Sequence, residues 1–131
     1  MVVIPEQYRD LLTRPVLVSL ATVMPDGQPQ VTPVWADYDG THIRVNTAAG
    51  RQKHKNMEAR PQVTVMALDP ENSQRYLEAR GMVTRISAEG GDAHIDSLAH
   101  KYIGVDTYPY RNPAETRVIC YIEPEKVLAQ G

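Results

Sequence analysis

The chain has 131 residues, 42% hydrophobic and 23% charged, with a net charge of −2. That make-up suits a globular protein with one core, read as a single domain over residues 1–131, and it speaks against a nucleic-acid surface, which carries a basic stripe. The lone cysteine, Cys120, excludes a disulfide framework and a cysteine metal site. No apolar run approaches the roughly 20 residues of a membrane span, so a cytoplasmic protein is expected.

Residues 4–13 predict a first helix, with Pro5 at a favoured opening position and Ile4, Tyr8, Leu11 and Leu12 on one side. Arg14-Pro15 ends it. Residues 16–23 read as a strand closed by Met24-Pro25-Asp26-Gly27, and residues 30–38 as a second strand closed by Asp39-Gly40. An Asp-Gly pair between strand-like runs is a strong hairpin signal. Residues 41–47 alternate, with Ile43, Val45 and Thr47 on one face and His42, Arg44 and Asn46 on the other.

The next stretch, Asn46-Thr47-Ala48-Ala49-Gly50-Arg51-Gln52-Lys53-His54-Lys55-Asn56, is the most informative. A turn of small residues opens a short helix, 51–58, that carries three cations in five positions. A helix start offers free backbone N–H groups and the positive end of the dipole, and both favour a phosphate. Arg51 and Lys53 would add charge-assisted bonds to the same anion. A solvated basic helix face is the other reading of these residues, and the sequence around them decides between the two.

Residues 62–68 make a fourth strand and 75–87 a fifth, in which Gly81 signals a bulge or a close backbone approach. Residues 92–102 place Ile95, Leu98, Ala99 and Tyr102 on one helix face. A loop rich in Pro and Tyr covers 103–114, and 116–122 is the last strand, with Cys120 as a buried, inert thiol. Six strands joined mostly by tight turns, with a few short helices, predict a mainly β protein: a six-stranded antiparallel barrel.

Familiar catalytic devices are missing from the sequence. His42, His54, His94 and His100 have no metal-ligand spacing, and no nucleophile elbow, Walker loop or dinucleotide fingerprint is present. If the chain is an enzyme, it takes its reactivity from a bound cofactor, and no metal is expected. Gln30-Val31-Thr32-Pro33-Val34-Trp35 supports a cofactor, because a proline inside a strand leaves neighbouring backbone groups free for a flat polar ligand. Two readings of that segment stay open: a ligand wall, or a core tryptophan after an edge-strand stop.

Taken together, Ala21-Thr22-Val23 with Asp26-Gly27, then Pro29 to Trp35, then Asn46-Thr47 with Arg51-Gln52-Lys53 and Lys55-Asn56, resemble the pyridoxamine 5′-phosphate oxidase-like flavin-binding split barrels. The similarity runs from about Leu17 to Lys126. Arg80-Gly81-Met82-Val83 and Leu98 to Gly104 bring it nearest the branch that uses the deazaflavin coenzyme F420.

The resemblance implies a homodimer with a cofactor in each interface groove. It assigns Arg51, Gln52 and Lys53 to the cofactor phosphate with Lys55 beside them, and Thr32, Pro33, Val34 and Trp35 to the ring. Asn46, Thr47 and Ala48 would line the ribityl chain, and Gln74, Arg75, Tyr76 and Leu77 would approach from a loop. The implied function is an F420-dependent oxidoreductase that passes a hydride between the reduced coenzyme and an electron-poor small-molecule substrate, a transfer for which no catalytic side chain is expected. Flavin mononucleotide (FMN) chemistry, and a non-catalytic carrier of flavin, F420 or haem, remain the alternatives. Tyr102, Tyr108, Tyr110 and His100 either cap a substrate pocket or pack the loop; packing is the expectation, since loop aromatics more often bury area.

Overall fold

The two Asp-Gly turns form as their sequence dictates. Asp26 accepts the Gln28 N–H at 3.0 Å, and Asp39 accepts the N–H groups of Thr41 and His42 at 2.9 and 2.6 Å. Around them the computed structural model, which describes residues 2–131, builds one antiparallel sheet. Its strands are β1 (Val18–Val23), β2 (Pro29–Val34), β3 (Ala36–Tyr38), β4 (Ile43–Ala48), β5 (Gln62–Leu68), β6 (Tyr76–Ser87) and β7 (Arg117–Gln130). The spatial order is β2-β1-β5-β6-β7-β4-β3.

That order explains why the sheet curls. Its two edge strands, β2 and β3, are consecutive in the chain and separated only by Trp35. Val34 pairs with Val18 at one edge while Ala36 pairs with Val45 at the other. The edges must therefore meet, which closes the sheet into a split barrel. The single strand expected over 30–38 is thus two, and the count is seven rather than six. A continuous strand would keep one neighbour, whereas here the chain crosses the split at Trp35, just after Pro33, which has no N–H to donate.

The interior is filled by alternate residues of every long strand, among them Val18, Leu20, Ile43, Val45, Val63, Val65, Leu77, Ala79, Cys120 and Ile122. Ile4, Leu11, Leu12 and Met57 complete the same core. The first helical segment is shorter than expected: a 3-10 turn, Glu6–Tyr8, and then α1 (Asp10–Thr13). The other helices are α2 (Gln52–Ala59) and α3 (Gly91–Ile103). None is long and apolar enough to cross a membrane.

β7 continues well past the expected end at residue 122 because β6 pairs with it along almost its whole length, from Tyr76↔Gln130 to Ser87↔Ile119. Pro124 lies opposite Gly81 at a register shift. A Cβ on Gly81 would collide with the Glu123 carbonyl oxygen, so the close approach expected at this glycine is real.

α3 packs across the outward face of β4 and β7 and buries Ile95, Leu98 and Ala99. Its C-terminal end closes the split. The Tyr102 hydroxyl accepts from Ala36 N at 3.1 Å and donates to Val16 O at 2.7 Å, while Lys101 Nζ donates to the carbonyls of Leu12 and Ala36. Two side chains of one helix therefore tie the lead-in to β1 to the start of β3.

Candidate functional site

Pairing of Ala48 with Arg117 brings the head of β7 beside the end of β4. From there Ala49 N donates to Thr116 O and Arg51 N to Ala48 O, a tight turn that delivers the chain to α2. Arg51 is the residue before the helix, and no side chain caps the first turn. Lys53 follows one step inside. Arg51 and Lys53 from the start of α2, and Arg117 from the head of β7, thus come to one open cavity of about 320 Å³. Pro33, Val34 and Trp35 form its wall on the side of the split.

The cations are unevenly compensated. Arg51 Nη2 meets Glu115 Oε2 at 2.9 Å. Among the described residues neither Lys53 nor Arg117 has a salt-bridge partner. Burial, and then the charges of Arg51 and Arg117, pulls the Lys53 ammonium below its ordinary value. Burial likewise lowers Arg117, which is 9% exposed and whose only side-chain hydrogen bond among the described residues is from Nε to Asn46 Oδ1 at 2.9 Å. Three cations and one carboxylate leave two positive charges facing the cavity. Burying unpaired cations costs free energy, and that cost is recovered when an anion enters.

Trp35 supplies the flat surface. One face of its indole stacks on Tyr102, at 5.3 Å between centroids and 12° between planes, and Tyr108 stands edge-on to it at 6.1 Å. Tyr108 also lies beneath the Arg117 guanidinium, 5.2 Å from the ring centroid. Tyr108 and Tyr110 line the cavity, with Tyr110 largely exposed at its mouth, whereas Tyr102 is half-buried in the split and His100 lies outside. The loop aromatics therefore divide between packing and lining.

Of the residues singled out in the sequence, Pro33, Val34, Trp35, Asn46, Arg51 and Lys53 come together at the cavity. Thr32 lies in β2 with its hydroxyl buried and without a partner, as is that of Thr47. Ala48 is buried, and Lys55 is exposed. Gln52 donates to Asn56. Gln74, Arg75, Tyr76 and Leu77 do not line the cavity of their own chain: Arg75 pairs with Asp10 and Asp69, and Leu77 is in the core.

The sequence reading missed Arg117, Leu17, Ile95 and Leu98, all of which line the cavity. Arg117 looks like an ordinary residue opening a strand. Only the register of β7 against β4 shows that it joins the cations of α2.

A flat molecule with an anionic end fits this donor set: an indole edge and a proline-broken strand on one side, and two cations without a salt-bridge partner among the described residues, Arg117 buried and Lys53 half-buried, on the other. A family model described as pyridoxamine 5′-phosphate oxidase matches residues 4–131. The chain belongs to this family. No match is found among curated proteins. Among solved structures the pyridoxamine 5′-phosphate oxidase fold here is similar to an F420 reductase, with 40% identity, a TM-score of 0.85, and coverage of 95% of this chain and 98% of that one. A conserved hypothetical protein of Mycobacterium tuberculosis follows at 26% identity and TM-score 0.71, covering 93% of this chain and 79% of the other. HupZ of Group A Streptococcus, at 21% identity, TM-score 0.71 and coverage of 96% and 93%, shares the fold. The resemblance read from the sequence to the family's split barrels is thereby borne out.

Proposed function

We propose that the protein is an oxidoreductase that binds coenzyme F420 and exchanges a hydride between it and an electron-poor organic substrate. The observation that carries this reading is the convergence of Arg51, Lys53 and Arg117 on a cavity walled by Pro33, Val34 and Trp35. The 40% identity to an F420 reductase over nearly the whole of both chains supports the choice of cofactor. Bound F420 in its reduced form supplies the hydride.

The chain's own residues bind, orient and keep water out. Arg51, Lys53 and Arg117 hold the phosphate, and the start of α2 turns its free N–H groups toward the same end. Trp35, braced by Tyr102, sets the plane of the ring, and Val34 and Leu17 keep that side dry. Asn46 lines the cavity through its position, while its amide is engaged within the protein. Arg75 and Leu77 keep structural roles in their own chain. A second copy of the chain supplies the facing wall, because the barrel interior is already filled and a large cofactor has to lie outside it.

Titration of the protein with F420 and with FMN tests the assignment. F420 is expected to bind more tightly, and combined charge reversal at Arg51 and Lys53 should weaken it by about 3 kcal/mol or more, at roughly 1.5–3 kcal/mol per charged hydrogen bond. Tight FMN binding with no F420 affinity, or unchanged affinity after charge reversal, would falsify it.

A further inference from the structure

Behind Arg117 lies a chain of buried polar groups whose polarity can be worked out atom by atom. Asn46 stands at its centre. Its Nδ2 lies 2.9 Å from Gly91 O, which can only accept, and its Oδ1 lies 2.9 Å from Arg117 Nε, which can only donate. Two partners of fixed sign set the amide one way round. The second proton of Nδ2 then points at His94 Nδ1, 3.1 Å away, so that nitrogen accepts. The ring proton is accordingly on Nε2, which donates to Asp37 Oδ2 at 3.0 Å. Asp37 is itself gripped by Arg44, through Nε to Oδ1 at 2.8 Å and Nη2 to Oδ2 at 2.9 Å. Hydrogen bonds thus run from Arg117 through Asn46 and His94 to Asp37, all in one direction.

We propose that His94, oriented by Asp37, is a positioning residue for the anion site, fixing the Asn46 amide so that Arg117 is held in the cavity wall with its charge uncompensated. The inference rests on the cofactor reading above and adds to it how the third cation is controlled. Two neutral side chains separate Arg117 from the carboxylate. A carboxylate in direct contact would neutralise the guanidinium and repel the incoming anion. An amide holds its direction and leaves its charge intact. Gly91 is part of the same device: a Cβ there would collide with the Arg117 carbonyl oxygen, so α3 can start close enough to offer its carbonyl to Asn46 only with glycine.

A merely structural network makes a different forecast from a positioning one. His94→Asn keeps an acceptor where Nδ1 stood but removes bulk; His94→Leu keeps bulk but removes the acceptor. F420 and inorganic pyrophosphate serve as probes, with the thermal midpoint of each variant measured alongside. His94→Leu is expected to weaken both probes at least about tenfold, one lost charge-orienting contact, while His94→Asn stays within about threefold of the parent. Asn46→Asp, which brings a carboxylate onto Arg117, should lose both probes. In the parent protein, ¹⁵N shifts of the His94 ring should report a protonated Nε2 and a bare Nδ1.

His94→Leu binding as well as His94→Asn, or a ring protonated at Nδ1 instead, overturns the positioning role. If the parent binds pyrophosphate but not F420, the cofactor reading falls while the variant order on pyrophosphate still decides this one. If it binds neither, both fall.

Discussion

Lys53 shows at the scale of a residue what an unpaired cation beside the cavity costs the free protein. It is half-buried, flanked by Arg51 and Arg117, and has no salt-bridge partner among the described residues, so an anion entering the cavity would offset the cost of holding its charge there. Lys101 makes the contrast. Burial pushes its ammonium down to about 8, but it donates to the Leu12 and Ala36 carbonyls and lies over the Tyr102 ring, so it works as a structural clamp. Cys120 is fully buried and its thiol is pushed up to about 12 by burial, which leaves it inert. Lys53→Met should therefore separate stability from binding. Removing a poorly solvated cation while keeping the apolar stem is expected to stabilise the free protein by about 0.5–1 kcal/mol, a rise in Tm of about 2–5 °C. The same change should weaken F420 about tenfold or more. Calorimetric melts and a binding isotherm check both halves, and a variant that melts lower than the parent would show Lys53 to be structural.

At the scale of elements, charged side chains reinforce the sheet and tie the helices to it. Asp37 of β3 pairs with Arg44 opposite it on β4 and accepts a hydrogen bond from His94 of α3, and Arg75 ties Asp10 of α1 to Asp69 after β5. Burial raises the Asp37 carboxyl, but hydrogen bonds from His94 and Arg44 outweigh it and hold the group below its ordinary 3.8. The Arg75 guanidinium does the same for Asp10, and the Glu71 backbone N–H and then Arg75 for Asp69. Since these folded-state values are depressed, the unfolded chain takes up protons first as pH falls. Their stabilisation is complete above about pH 4 and is lost as pH drops below 3.8 through the folded values. Melting temperature should accordingly fall steeply below pH 4. Asp37→Asn should cost about 1–3 kcal/mol at pH 7 and give a shallower acid slope. A parent Tm unchanged down to pH 3 would contradict this. Much of this element scale was legible in the sequence: the Asp-Gly hairpins, the Gly81 approach and the helix at the basic turn are written in local residue chemistry. The break at Trp35, the length of β7 and the place of Arg117 were not, since each depends on which distant strand is the neighbour. A proline in 30–38 signals a disturbance without saying that the chain changes sheet edges there. Asn46 likewise shows in the sequence as an outward residue of β4, with no sign of the histidine that orients it.

At the scale of the whole molecule, several large apolar side chains stand exposed. Leu17 is 60% exposed just before β1, Leu68 is 42% exposed at the end of β5, and Tyr110 is 70% exposed. They are not scattered. Leu17 lines the cavity together with Tyr110, and on its other side it borders a groove shared with Met66 and Leu68. An apolar strip therefore runs out of the cavity and along the outside of the barrel. Val31, 59% exposed on β2, adds to the exposed apolar area. A second copy covering this strip would remove the apolar area from water at about 25 cal/mol per Å² and give the cavity its missing wall. A standard interface takes about 800 Å² from each partner, which the strip and its polar margin must supply between them. Leu68→Asp tests the arrangement cleanly, because Leu68 borders the groove without lining the cavity. Light scattering should find the parent as a dimer and the variant as a folded monomer, with F420 affinity reduced at least about tenfold once the facing wall is gone. A variant that becomes monomeric yet binds F420 as tightly as the parent would mean that one chain completes the cofactor site alone. A variant that stays dimeric would place the interface on another face of the barrel.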